Sequence, residues 1–168
     1  MDSEQIGVII KEILANKKNH VLFLGCILND EYINFPSIDK NFFFIVNTNE
    51  KSNIDMMGHW VLLFFRNKSL FFFDSFALDP SEYGGSIEYY FYNHNNSKYK
   101  MAKYQIQNIN SLLCGAYCIY ISSMLARNLP LKRIMKIFSR QTCQNDKFIQ
   151  RFILSFPCMI KNDKCHNK

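Results

Sequence analysis

Apolar positions recur along this chain in two rhythms. Ile6, Ile9, Ile10, Ile13 and Leu14 fall at helical spacing, with Asp2 or Ser3 placed to cap them and Glu4 and Gln5 in the first turn. Short apolar runs follow at 21–24, 42–46, 59–66 and 70–74, the first ended by Gly25. Runs of this length between polar stretches predict strands. The turn Asn67-Lys68-Ser69 predicts that the last two pair as a hairpin. Residues 29–39 and 47–57 read as polar loops.

Farther on, Asp79-Pro80-Ser81-Glu82 opens a helix: Asp caps it, Pro takes the first position and Glu closes the box. Gly84-Gly85 weakens that helix. Residues 103–107 alternate like a strand. Residues 112–127 are mostly apolar and predict a buried helix, after which Pro130 stops the element. Two amphipathic helices follow near 131–138 and 144–154, then a polar tail, 161–168, expected to be flexible. This order predicts one α+β domain across residues 1–168, with a mostly antiparallel central sheet packed against helices.

The 168 residues are 48% hydrophobic and 20% charged, enough to bury a core and too apolar for a disordered chain. A formal net charge of +6 favours acidic partners such as nucleic acid, or is simply a solvated basic surface. Lys132, Arg133, Lys136 and Arg140 repeat at helical spacing and carry the same two readings. The polar opening Met1-Asp2-Ser3-Glu4-Gln5 predicts no secretory leader, and no apolar run reaches membrane-spanning length. The expectation is a protein that is not secreted and has no membrane partner. Cys26, Cys114, Cys118, Cys143, Cys158 and Cys165 are then expected as free thiols in a reducing compartment.

Chemistry enters with four separated pieces. Cys114 falls in the first turn of the long helix, with Asn110 and Ser111 as candidate caps. Unpaired N–H groups and the positive end of the helix dipole favour a thiolate there, and the same N–H groups can receive an oxyanion. Gly115 leaves room for a substrate backbone. His59 opens the first strand of the predicted hairpin and Asp74 ends the second, where paired strands let the acid orient the imidazole. Gln107 can donate to an oxyanion, and Trp60, the single tryptophan, can wall a narrow groove. Taken singly, each of these residues is more often structural; a buried helix cysteine is the commoner fate, and is expected for Cys118. Together they are the parts of a thiol hydrolase. The sequence contains no phosphate-binding glycine loop, no His-Glu-x-x-His zinc site and no second pair to join Cys114 and Cys118 on a metal, so no metal or cofactor is expected.

The set Gly58-His59-Trp60, Phe73-Asp74-Ser75-Phe76, Gln107, Asn110-Ser111 and Cys114-Gly115-Ala116-Tyr117-Cys118 resembles the adenovirus maturation protease (adenain) family and its relatives in DNA viruses, virophages and virus-like transposons. Phe23-Leu24-Gly25, Phe35-Pro36 and Ile45-Val46-Asn47-Thr48 extend the resemblance, which weakens after about Arg127. It implies an adenain-like cysteine protease fold with Cys114 as nucleophile at the start of a buried central helix. His59 is implied as general base, Asp74 as its orienting acid and Gln107 in the oxyanion hole, with Gly58, Trp60 and Gly115 at the substrate. The implied role is cleavage of viral capsid or core precursors at glycine-containing sites, in the virion and in the infected cell's nucleus or cytoplasmic virus factory. DNA and a peptide activator are implied partners. Between Asp74 and Cys114 the chain has no cysteine, the position through which adenain takes its disulfide-linked peptide, so a peptide activator is expected to act without a disulfide. Two other readings stand beside this one. The first is a protease that processes or deconjugates ubiquitin-like modifiers. The second is a non-catalytic basic protein that binds DNA or capsid.

Overall fold

Strands β2 (Asn41–Asn47) and β3 (Trp60–Arg66) are apolar almost without interruption because both of their faces are covered. With β1 (Val21–Leu28), β4 (Ser69–Phe73) and β5 (Lys100–Met101) they form one sheet in chain order. The computed structural model describes residues 1–15, 21–34, 36, 40–53, 58–93 and 99–157. The expected tail 161–168, with Phe35, Met57, His20, His94, His166, Cys158 and Cys165, lies outside the described residues.

Alternate side chains of the sheet feed two cores. Phe43, Ile45, Leu62, Phe64, Phe71 and Phe73 pack on one face beneath α1 (Ser3–Ala15), α3 (Cys114–Ala126), α4 (Leu131–Met135) and α5 (Thr142–Leu154). Phe42, Phe44, Val46, Val61, Leu63 and Phe72 pack on the other, against Ile87, Tyr90 and Phe91 of α2 (Gly85–Asn93). A phenylalanine-rich sheet thus holds a helix layer on each side, the α+β arrangement expected.

The β2–β3 and β3–β4 pairings are antiparallel, and the edge pairings β1–β2 and β4–β5 are parallel. Asn67 and Lys68 both have positive φ (51° and 61°), which makes a tight primed turn between paired Arg66 and Ser69. That turn sets the register carrying His59 and Asp74 to the same end of the sheet.

Several boundaries differ from expectation. β1 does not stop at Gly25 but runs through it to Leu28; a register shift between Phe23 and Cys26 absorbs the irregularity, and glycine allows its φ of 115°. The helix expected from Asp79 is split. Asp79 caps only a 3-10 turn, Pro80–Glu82, and Gly84 and Gly85 then take positive φ where α2 begins. Residues 103–107 are not a strand: the N–H groups of Ile106 and Gln107 both donate to the Ser75 carbonyl (2.9 and 3.3 Å). The alternation there reflects an irregular segment with Ile106 and Gln107 buried, and the strand pairing falls earlier, at β5. At α1 Asp2 is the cap: its Oδ1 accepts from Gln5 N–H at 2.8 Å, and Gln5 Oε1 accepts from Asp2 N–H at 3.1 Å.

Candidate active site

His59 is placed by main chain before its side chain is considered. Its N–H donates to Thr48 Oγ1 (3.0 Å) and its carbonyl accepts from Thr48 N–H (2.8 Å), so the end of β2 clamps the start of β3. Asp74 follows β4 directly, and its turn is held by Ala77 N–H on the Asp74 carbonyl (3.1 Å). Across the hairpin the two meet, with His59 Nε2 2.5 Å from Asp74 Oδ1.

Asp74 is 1% exposed yet well supplied with donors. Oδ1 also accepts from Phe76 N–H (3.0 Å); Oδ2 accepts from Leu78 N–H (2.8 Å) and from the Tyr83 hydroxyl (2.9 Å). Burial alone would raise its pKa. The hydrogen bonds from His59, Phe76 and Leu78 outweigh burial and hold the carboxyl below the usual range. Phe76 stacks on the imidazole, ring centroids 4.8 Å apart at 26°.

His59 also faces Cys114 across the groove, close enough for each to favour the charged form of the other. Cys114 is the first residue of α3, after Leu113 at the cap position. Burial pushes its thiol up, but His59 and the N–H groups of Trp60 and Gly115 pull it below the ordinary value. Burial likewise opposes charge on His59; its bonds to Asp74 and Cys114 prevail and raise it to about 9. The two shifts run in opposite directions, both toward the thiolate–imidazolium pair that makes a thiol nucleophilic.

Gln107 is 1% exposed. Its Oε1 accepts from Ser75 Oγ (2.6 Å) and its Nε2 donates to the Ser111 carbonyl (2.6 Å), which leaves one amide hydrogen for a ligand. Asn145 of α5 braces the same loop through the Ile106 carbonyl (2.9 Å). Asn110 and Ser111 do not cap α3; they belong to a separate turn, with Ser111 N–H on the Asn108 carbonyl (2.9 Å) and Asn110 N–H on Asn108 Oδ1 (3.0 Å). The first N–H groups of α3 therefore lack a side-chain cap and remain open to an oxyanion.

A groove of about 680 Å³ runs over these groups, lined among others by Gly58, His59, Trp60, Phe76, Gln107 and Cys114. Trp60 is 7% exposed and ties its ring to the N-terminal segment, Nε1 to the Met1 carbonyl at 3.2 Å. Gly115 does not line the groove, contrary to expectation. A Cβ there would lie 3.0 Å from Ile6 Cδ1 and 3.3 Å from Trp60 Cδ1, so its small size serves the packing of α3 against α1. Cys118 is fully buried, its thiol on the Trp60 carbonyl at 3.4 Å, as expected of a core cysteine.

At Gly58 a Cβ would fall 1.9 Å from Asn47 Oδ1 and 2.8 Å from Asn49 Cγ. Gly58→Ala must displace the Asn47–Asn49 bond (3.0 Å) beside His59. We expect it to cost about 1–3 kcal/mol of stability. The check is a melting curve beside the wild type.

Six contributors were not assigned from the sequence: Tyr83, Ser75, Phe76, Asn47, Thr48 and Asn145. Ser75 and Phe76 stand inside the quoted Phe-Asp-Ser-Phe run, which signals their place but not their role. Tyr83 carries no local signal, since only the fold brings it to Asp74.

Two solved structures are similar in backbone arrangement. One is the Chlamydia trachomatis effector protein Cdu1 bound to ubiquitin, with TM-score 0.48, 17% identity and 68% of this chain covered. This chain spans 59% of that protein's length. The other is ChlaDub1 from Chlamydia trachomatis, with TM-score 0.47, 16% identity and coverage of 90% of this chain and 73% of that one. No family model and no curated protein sequence matches the chain.

Proposed function

We propose that this chain is a cysteine peptidase that cleaves an extended segment of a protein substrate after a small residue. The observation that carries the reading is the Asp74–His59 pair set beside Cys114 in one groove, with the thiol drawn down toward thiolate. The Cys114 thiolate attacks the scissile carbonyl. The oxyanion is received by the α3 N–H groups and the free amide hydrogen of Gln107. His59, already protonated, delivers its proton to the departing amine; Asp74 stabilises the imidazolium and fixes its orientation. Water then attacks the acyl-enzyme with His59 as base. Trp60, Gly58 and Phe76 narrow the groove and favour glycine-sized residues before the bond.

The tail of a ubiquitin-like modifier is the first substrate to offer, because Cdu1 is described bound to ubiquitin. A viral capsid or core precursor is the second, on the Gly58-His59-Trp60 and Cys114-Gly115 motifs. A DNA or peptide activator and a virion location belong to that second reading alone. The test offers a panel of ubiquitin-like modifiers carrying a C-terminal electrophile, and separately a capsid precursor, to the protein. A covalent adduct on Cys114 supports the modifier reading. Cleavage of the precursor without an adduct supports the viral one. Failure of both, with and without DNA, sinks the peptidase.

A further inference from the structure

We propose that Tyr83 is a positioning residue for the Asp74–His59 pair, its hydroxyl holding the carboxylate so that Oδ1 faces the imidazole. The inference rests on the peptidase reading and adds a residue to its machinery. Of the four donors on Asp74, Phe76 N–H and Leu78 N–H come from the turn that Asp74 itself begins. Apart from His59, Tyr83 supplies the one side-chain donor among the described residues, and it arrives from a separate element.

Its own position is closely determined. Tyr83 N–H donates to the Pro80 carbonyl (3.2 Å), and the Tyr83 carbonyl accepts from Asn29 Nδ2 (2.8 Å). Asn29 is 2% exposed and accepts from Ile87 N–H at 3.1 Å, which locks it to α2. The Tyr83 ring lies nearly parallel to the imidazole, 21° and 6.3 Å between centroids. The hydroxyl therefore meets Oδ2 from a direction fixed by the capped turn, and Oδ2 cannot rotate toward His59 without losing it.

The bond also spreads charge over the carboxylate. A donor on Oδ2 weakens Oδ1 as an acceptor, so His59 can give up its proton to a leaving amine. The titratable groups facing Tyr83 are Asp74 after β4 and Cys118 and Cys114 on α3, with His59 stacked alongside. Burial and these neighbours push the Tyr83 hydroxyl well above its ordinary value, so it stays a donor throughout the working range.

The experiment measures the iodoacetamide reaction of Cys114 against pH, which needs no substrate, in the wild type, Tyr83→Phe and Tyr83→Leu. In both variants the alkaline limb should move upward by roughly half a pH unit to one unit, as Oδ1 becomes the stronger acceptor. On whichever substrate the wild type cleaves, kcat should fall about 3- to 30-fold with KM within twofold. If Tyr83→Phe matches the wild type in both limb and kcat, the hydroxyl has no such role, and a defect confined to Tyr83→Leu assigns the residue to ring packing. If wild-type Cys114 itself alkylates like a free thiol, the peptidase reading fails and takes this inference with it.

Discussion

Cys114→Ala should abolish cleavage of every substrate the wild type accepts, by about 10⁴-fold or more, while the protein stays folded. Cys114 is 8% exposed at the groove, and its removal takes one sulfur from the edge of the core. His59 then loses the partner that helps hold it charged, and its pKa should fall from about 9 toward the ordinary range. The check is turnover beside thermal melting: rates at background with a melting temperature within a few degrees of the wild type. Residual cleavage above one part in a hundred would show that another group is the nucleophile.

Asp74→Asn should lose activity and stability together. The amide keeps one acceptor oxygen where the carboxylate has two, and three donors besides His59 converge on that side chain. Whichever way the amide turns, its NH2 meets a donor. If it faces His59, the imidazole loses its orientation and the charge that stabilises imidazolium. If it faces Leu78 and Tyr83, the Leu78 N–H loses its acceptor and the Tyr83 hydroxyl must turn its own hydrogen away to accept. Activity should fall about 10³- to 10⁴-fold. Stability should fall by about 1–2 kcal/mol, from a main-chain donor of the turn left without its acceptor. Urea denaturation and kcat/KM measured on the same preparation check both. A variant as stable as wild type would mean that Asp74 is less central to the turn at 74–78 than its hydrogen bonds indicate.

The contrast between these two variants follows from how the site is built, and so does the degree to which it was legible in the sequence. The apolar runs at 42–46, 59–66 and 70–74 were readable because strands covered on both faces need no polar alternation. The turn at Asn67-Lys68 then brought His59 and Asp74 together, since its two positive-φ residues leave only one register. The start of α3 was readable to within two residues from its unbroken apolar content. Its capping was not: Asn110 and Ser111 are good cap residues anywhere, and here the Asn108 turn claims them.

Long-range consequences were the hidden part. β1 continues through Gly25 because β2 offers a partner beyond it, which no local pattern reports. Residues 103–107 alternate because Ile106 and Gln107 turn inward between helix and turn, and a period of two does not distinguish that from a strand. Gly115 resembles a residue cleared for substrate; only the approach of Ile6 shows that a helix contact needs it. Tyr83 belongs to the site through tertiary structure alone, being brought there by a capped turn and by Asn29 from the far side of the chain.

The central claim is that Cys114 stands as a thiolate paired with His59 at neutral pH. Its most direct measure is the rate of iodoacetamide alkylation at each cysteine against pH, read by mass spectrometry. Cys26, pushed up to about 12 by burial and Asp2, and Cys118, buried and well above the ordinary value, should remain unreactive. Cys114 should react on a plateau that begins well below the free-thiol value of about 8.5. That plateau should end as His59 deprotonates near 9, and in His59→Ala its low-pH part should vanish. Alkylation of Cys114 that rises only near about 8.5, and is unchanged in His59→Ala, would contradict the account.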